Sequence, residues 1–392
     1  MDQILNAMVE FKRITPADEQ CFFGYYDNPA FSPDGSRHLA HRVPFRERLQ
    51  APDDVAELGV ANLENGSFDV FAETKAWNFQ QGSMLQWFGA EPDTVFHNAA
   101  KPGGEYCGVI RNLATGAARE VPMPLANLSR DARLGLSINL DRVFDFRPGY
   151  GYCQKRDPWH DQKHSDEDGV WIVDMEKAEA KHVLSMQKIW DAMKHALNGM
   201  DAKICINHIT FNPSANHFVL LARNFRDENA MPWITTVFVS DLDGNLTTPS
   251  LYDGCMASHY WWNDDETLVF FAHGPEGNQL YLANVVTGEQ TIIDKDYFPF
   301  DGHCSTSSDG RWMLYDSYPR DGYRHLFLYS MEKHQGVTLG VLRDLPGEVT
   351  DVRCDLHPRW TRDDTGISFD GTFEGFRAVY TADLREIMAS MV

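Results

Sequence analysis

The chain is poor in positive charge, in cysteine motifs and in long apolar runs. Against 57 Asp and Glu it carries 35 Lys and Arg, a formal charge of −22. A field of that sign repels phosphate backbones and anionic lipid, so neither nucleic acid nor a membrane surface is an expected partner. No apolar run reaches the roughly 18 residues that a membrane-spanning helix needs. The opening MDQILNAMVEFKRITPADEQ shows no basic segment followed by an apolar one, so a cytoplasmic location is expected. Seven cysteines, at 21, 107, 153, 205, 255, 304 and 354, are odd in number, widely spaced and form no CxxC. That pattern does not make a disulfide framework, and most of them read as buried free thiols. No glycine-rich phosphate loop follows a strand and no GxSxG occurs. Nucleotide-binding α/β folds and hydrolases built on a nucleophile elbow are therefore disfavoured.

What is present is aromatic. Ten Trp, 14 Tyr and 24 Phe in 392 residues supply ample area for a buried core. Turn punctuation followed by a short apolar run returns seven times: FSPDGSRHLA from Phe31, WFGAEPDTVFH from Trp87, LSRDARLGLSIN from Leu128, FNPSANHFVLLA from Phe211, WNDDETLVFFA from Trp262, SSDGRWMLYD from Ser307 and WTRDDTGISFD from Trp360. The starts are 56, 41, 83, 51, 45 and 53 residues apart, and five of these six gaps lie near one propeller blade of roughly 40–50 residues. Between the beats lie tight-turn segments at 61–71, 111–121, 239–249, 282–293 and 329–340, whose Asn-Gly, Thr-Gly and Asp-Gly pairs suit hairpins. The pattern predicts an all-β fold, a seven-bladed β-propeller, as a single domain over residues 1–392. Residues 3–14 read equally as a strand closing the last blade or as a helix. The 83-residue gap holds an insertion at about 147–200, in which VLSMQKIWDAMKHALNG (183–199) has helical spacing and Gly199 as its stop.

Function has to be read from side chains that the inner strands could bring together. DGHCSTSSDG (301–310) and VRCDLHPRW (352–360) offer His303, Cys304, Cys354 and His357, borderline or soft ligands suited to zinc or a similar divalent ion. Cys354 and His357 stand three residues apart, and of His303 and Cys304, which alternate across a strand, one is expected to bind. The expected metal set is His303, Cys354 and His357. The alternative is two turn histidines and two buried thiols. A second group is aromatic and basic: Tyr25, Tyr26 and Asp27; Gln80, Gln81 and His97; Arg147, Tyr150 and Tyr152; Asn207 and His208; Arg223 and Arg226; and His259 in MASHYWW. Tyr, His and Arg in one dry pocket suit removal of the proton α to a uronate carboxylate. A cation neutralises the carboxylate, and Tyr or His exchanges protons with the carbon acid and the departing glycosidic oxygen. On this reading Tyr150, His208, His259 and Arg147 are the expected catalytic group, with Tyr26, Gln81, His97, Tyr152 and Arg223 binding an acidic oligosaccharide. Hydrolysis would instead require two facing carboxylates.

At FFGYYDNPAFSPDG, AWNFQQGSMLQW, FRPGYGY, NHITFNPS, SHYWW, DGHCSTSSDGRW and RCDLHPRW the sequence resembles seven-bladed propeller polysaccharide lyases. The resemblance is to the ulvan lyase and rhamnose–glucuronate lyase type and, more distantly, to oligogalacturonate lyase. It implies β-elimination at a uronic acid, with Tyr150 or Tyr152 as acid or base and His208 and His259 in the pocket. It also implies a divalent ion, zinc or manganese, near His303, Cys354 and His357, in a catalytic or a structural role. The chain departs from oligogalacturonate lyase in the last metal segment, and at ITTVFVSDLDG, where Thr stands in place of the family's Arg base. Gln81 occupies the place of a His that ulvan lyases carry near the QQG segment. A propeller that binds carbohydrate or protein without catalysis is the alternative.

Overall fold

The turn that opens each beat is built from its own side chains. In FSPDGSR the Ser32 hydroxyl donates to Asp34 at 2.6 Å, Asp34 accepts the Ser36 amide at 3.0 Å, and Ser32 Oγ accepts the Arg37 amide at 3.0 Å. These donors hold the Asp34 carboxyl at about 2. The same arrangement recurs at Ser129/Asp131, Ser307/Asp309 and Thr361/Asp363. Short polar side chains that bond their own backbone favour turns over ladders, so each beat ends one strand and starts the next.

The computed structural model describes residues 3–226, 233–247, 251–254, 256–345 and 350–391. Cys255 and the last residues of the 239–249 turn segment lie outside the described residues. Seven antiparallel sheets form a seven-bladed β-propeller. Every beat falls between the first and second strands of a blade: in blade one these are Gln20–Phe22 and Arg37–Val43, in blade six Cys304–Thr306 and Trp312–Asp316, in blade seven Arg359–Trp360 and Gly366–Gly371. The chain divides into two compact units, one of Met1–His97, Ile110–Ala118 and Phe300–Val392, the other of Asn98–Val109 and Arg119–Pro299.

In the first unit the alternate residues of blades six and seven bury Leu314, Leu326, Leu328, Ile367 and Phe369 in one cluster. Each such side chain contributes roughly 1.5–3 kcal/mol by leaving water. The amino-terminal segment is strand rather than helix, and it is shared between two blades. Ile4–Ala7 adds a fifth strand to blade six, and Lys12–Arg13 completes blade seven by pairing with Thr381 and Tyr380. Phe11, between the two, packs edge-on against Phe369 with ring centroids 5.1 Å apart.

In the second unit the insertion is two pieces rather than one run at 147–200. Residues 138–168 enter between the second and third strands of blade three, and the hairpin of Gly169–Asp174 and Glu179–Ser185 separates them from a helix at Met186–Met193. The helix within 183–199 is thus shorter than the sequence spacing predicts, because its first three residues pair as strand. An additional helix, Leu140–Phe146, starts ahead of the expected boundary; Asn139 caps it by accepting the Arg142 amide at 3.1 Å. Arg142, 2% exposed, fastens this piece: its guanidinium donates to Asp157 and to the carbonyls of Trp159, Gln162, Lys163 and Ile204. Gly151 lies so close to the helix that a Cβ there would stand 2.1 Å from the Phe144 amide nitrogen.

Asp141 in this helix is buried and accepts the Tyr106 hydroxyl at 2.8 Å. Burial pushes its carboxyl up to about 7, against the pull of Tyr106 and Lys155. A carboxyl raised above its unfolded value of about 3.9 binds more protons folded than unfolded, so stability falls as pH rises from about 4 to about 7. Asp141→Asn is therefore expected to flatten the pH dependence of unfolding over that range. It should stabilise the protein at pH 8 by up to about 4 kcal/mol, read by denaturant titration.

Candidate functional site

Within the first unit, two histidines converge from different blades. His303 precedes the strand Cys304–Thr306, and His357 precedes Arg359–Trp360. The ring of His357 lies against Gly24 O, with Nδ1 to oxygen 2.8 Å. The ring of His303 lies against the Asp316 carboxylate, with Nδ1 to its oxygens 2.9 and 3.0 Å. A carbonyl and a carboxylate can only accept, so each Nδ1 carries the proton. With Nδ1 so engaged, the Nε2 atoms of the two rings face each other 3.2 Å apart. Two lone pairs at that separation repel unless a proton or a metal ion lies between them. Nitrogens bound at about 2.0–2.1 Å to one ion are themselves roughly 3.0–3.4 Å apart, so the spacing suits a shared cation.

The third donor is Asp355, whose carboxylate lies with the two imidazoles inside a 4.8 Å cluster. All three residues are at most 2% exposed. Burial would raise the Asp355 pKa, but Arg353 and Arg324 hold the carboxyl well below the usual range. Arg324 donates to it at 2.7 Å, and Arg353 Nε lies 2.8 Å from Oδ2. Two imidazoles and one ionised carboxylate suit zinc or manganese. The sequence reading put Cys354 in this place. The donor grouped with the two imidazoles is Asp355 and not its neighbour Cys354. Leu356 belongs to the core cluster of blades six and seven, and burial pushes the Cys354 thiol up to about 11. Cys304 is likewise buried, with its pKa raised by burial. Tyr25 and Tyr26 wall the site, with the Tyr25 ring 4.8 Å from His357 and the Tyr26 ring 5.3 Å from His303. His357 has φ +45°, a left-handed conformation unusual for a side-chain-bearing residue.

Within the second unit, the inner strands of blades four and five each carry a bulge. One falls between Ile206 and His208, the other between Ser258 and Tyr260. The extra residues are Asn207 and His259, and His259 has φ +36°. Bulges re-aim side chains and are common beside active sites. The His208 ring lies edge-on to Tyr150 at 5.3 Å, and the Arg147 guanidinium sits 4.4 Å from the Tyr150 ring centre. Phenol, imidazole and guanidinium thus meet in this unit. Arg223 braces both bulged strands: it donates to Asn207 Oδ1, to Thr235 Oγ1 at 3.2 Å and to Ala257 O at 2.6 Å. The Asn207 side-chain amide nitrogen is buried and has no acceptor among the described residues. Sequence reading named Asn207 without giving it a role.

The remaining expected binding residues have these surroundings. Tyr152 is 1% exposed, and its hydroxyl accepts from Asn98 Nδ2 at 2.8 Å, inside a network closed by Leu125. His97 is buried in the strand Thr94–Ala100. Gln81 is half-buried; its neighbour Gln80 is fully buried and donates to Arg353 O at 2.9 Å, anchoring the segment that leads to Asp355. Gly82 serves His41. That ring contacts Phe23 O at 2.8 Å and accepts the Ser83 amide at 3.0 Å, and burial drives its pKa down to about 3.

No protein-family model and no curated protein matches the sequence. Solved structures do match. An oligogalacturonate lyase in complex with manganese superposes with a TM-score of 0.69 at 18% identity, covering 99% of this chain and 96% of that one. An oligogalacturonate lyase from Vibrio parahaemolyticus gives 0.67 at 17% identity, over 98% and 96%. The β-propeller domain of the trilobed protease from Pyrococcus furiosus gives 0.52 at 12%, over 92% and 93%. At these identities the likeness establishes the propeller fold. Among the described residues no helix is long and apolar enough to cross a membrane.

A Cβ at Gly82, where φ is +60°, would stand 2.2 Å from His41 Cε1. Gly82→Ala is expected to lower stability by roughly 2–4 kcal/mol in a denaturant titration, from backbone strain and displacement of the ring.

Proposed function

We propose that the chain is a lyase that cleaves uronic-acid-containing oligosaccharides by β-elimination, with a divalent cation held by His303, Asp355 and His357. The observation that carries this reading is the pair of Nε2 atoms 3.2 Å apart beside a buried ionised carboxylate. Its setting is a fold shared end to end with an oligogalacturonate lyase in complex with manganese.

β-Elimination needs positive charge at the uronate carboxylate, which acidifies the neighbouring carbon; a bound divalent ion would supply such charge, as would an arginine. The chain's own groups do the rest. A base removes the C5 proton, its electron pair becomes the C4–C5 double bond, the C4–O bond breaks, and the departing oxygen takes a proton. Tyr150 and His208, in ring contact, are assigned these two proton transfers. Arg147, over the Tyr150 ring, supplies positive charge for a phenolate or for the substrate. His259 and Asn207 present an imidazole and an amide donor from their bulges. Tyr25 and Tyr26 shield the histidines from water. Arg223, with three bonds to protein, shapes the two bulges. An acidic protein still admits an anionic sugar because its arginines and the cation are local, while the net charge is spread over the surface.

The test is incubation with a panel of uronate oligosaccharides and Mn²⁺ or Zn²⁺, following the ultraviolet absorbance of the 4,5-unsaturated product. Activity is expected with at least one uronate and should vanish after chelation. Tyr150→Phe and His208→Ala are each expected to lower kcat at least about 100-fold. Turnover that survives chelation would remove the cation from the account, and full activity in both variants would remove their assigned roles. A folded protein inactive on every uronate would favour the non-catalytic binding propeller.

A further inference from the structure

Asp316 touches no ion in the arrangement above, yet the whole arrangement hangs on it. It ends the strand Trp312–Asp316 and is 1% exposed. Its Oδ1 accepts the backbone amide of His303 at 2.8 Å and the ring Nδ1–H of the same residue at 2.9 Å. Its Oδ2 accepts the backbone amide of His357 at 3.1 Å. One carboxylate therefore gathers three N–H donors from two residues that belong to different blades. The donors that it takes fix the tautomer of one ring, the main chain beneath that ring, and the main chain beneath the other.

We infer that Asp316 is the positioning residue of the proposed cation site, holding His303 in its Nδ1–H form and locking His357 so that the two Nε2 atoms converge. This rests on the reading of His303, Asp355 and His357 as ion ligands. The chemistry requires a carboxylate. An asparagine has one accepting oxygen, and its NH₂ group would point donors at donors. His303 would then be released to either tautomer, and in the Nε2–H form it cannot bind a cation. The left-handed backbone of His357 gives a second reason. A strained residue persists where its surroundings over-determine it, and the bond from its amide to Asp316 is one such restraint. A partner that orients a ligating histidine through its other ring nitrogen commonly changes metal affinity about 10–100-fold.

The experiment uses the full chain stripped of metal, titrated with Mn²⁺ and separately with Zn²⁺ by calorimetry, in the wild type and in Asp316→Asn. Long-range proton–nitrogen NMR of the imidazoles reads the tautomers directly. The expected result is one ion per wild-type chain, affinity about 10–100-fold lower in the variant, and a His303 signal shifted from pure Nδ1–H to a mixture. Affinity within about twofold of wild type would overturn the inference. Should the wild type bind neither ion, the cation reading of the site falls. The tautomer measurement then still decides the role of Asp316, which is overturned if His303 stays Nδ1–H in the variant. If Asp316→Asn fails to fold, Asp316→Glu takes its place: it keeps the charge but misplaces the oxygens by one methylene. It is expected to bind at least about tenfold more weakly, and unchanged affinity would overturn the inference.

Discussion

Two imidazole Nε2 atoms face each other across 3.2 Å in the interior of the first unit. Nδ1 of each ring is engaged by an acceptor that has no hydrogen to give. The buried Asp355 beside them is held ionised by two guanidiniums. Two imidazole nitrogens that close, beside a carboxylate in a dry place, call for positive charge among them. A cation would supply it, and the rest of the site reads as support for that condition. Tyr25 and Tyr26 exclude water, Gln80 fixes the approach to Asp355, and Asp316 sets the two rings.

The fold provides this by repetition. Each blade begins with an inner strand, and in blades one, three, six and seven the turn after it is built by Ser or Thr and Asp. Ahead of that strand stand His303 in blade six and His357 in blade seven. In blades four and five the inner strands are longer and are modified by one extra residue each, at Asn207 and His259. Arg223 connects the two bulges. The Tyr150 that meets His208 arrives from the insertion in blade three, which Arg142 fastens to the carbonyl of Ile204 at the head of the His208 strand.

Much of the propeller was legible because its turns are local. SPDG, SRDA, SSDG and TRDD state their structure in a few side-chain-to-backbone bonds, and seven beats of turn and apolar run near blade spacing define the architecture. Where an outcome depended on distant partners, the sequence was ambiguous. Residues 3–14 could not reveal that two different blades would divide them, since pairing partners near residue 340 and residue 380 leave no local trace. The helix at Leu140–Phe146 follows directly on a beat whose last residue, Asn139, also serves as its cap. At the candidate cation site the residue types drew attention to Cys354, a stronger zinc ligand by chemistry than Asp355. The donors that the fold groups are His303, Asp355 and His357, a proximity that no local pattern announces. Asp316 had no sequence signal at all: an aspartate at a strand end is ordinary until the two histidines are seen to share it. The bulges that carry His259 and Asn207 were equally silent.

The most direct measurement is anomalous diffraction from crystals of the full chain grown with Mn²⁺. The account expects a single peak within about 2.0–2.3 Å of His303 Nε2, His357 Nε2 and one oxygen of Asp355. Crystals in which that space holds no scatterer while the two imidazoles keep their separation, with a proton shared between them, would contradict it.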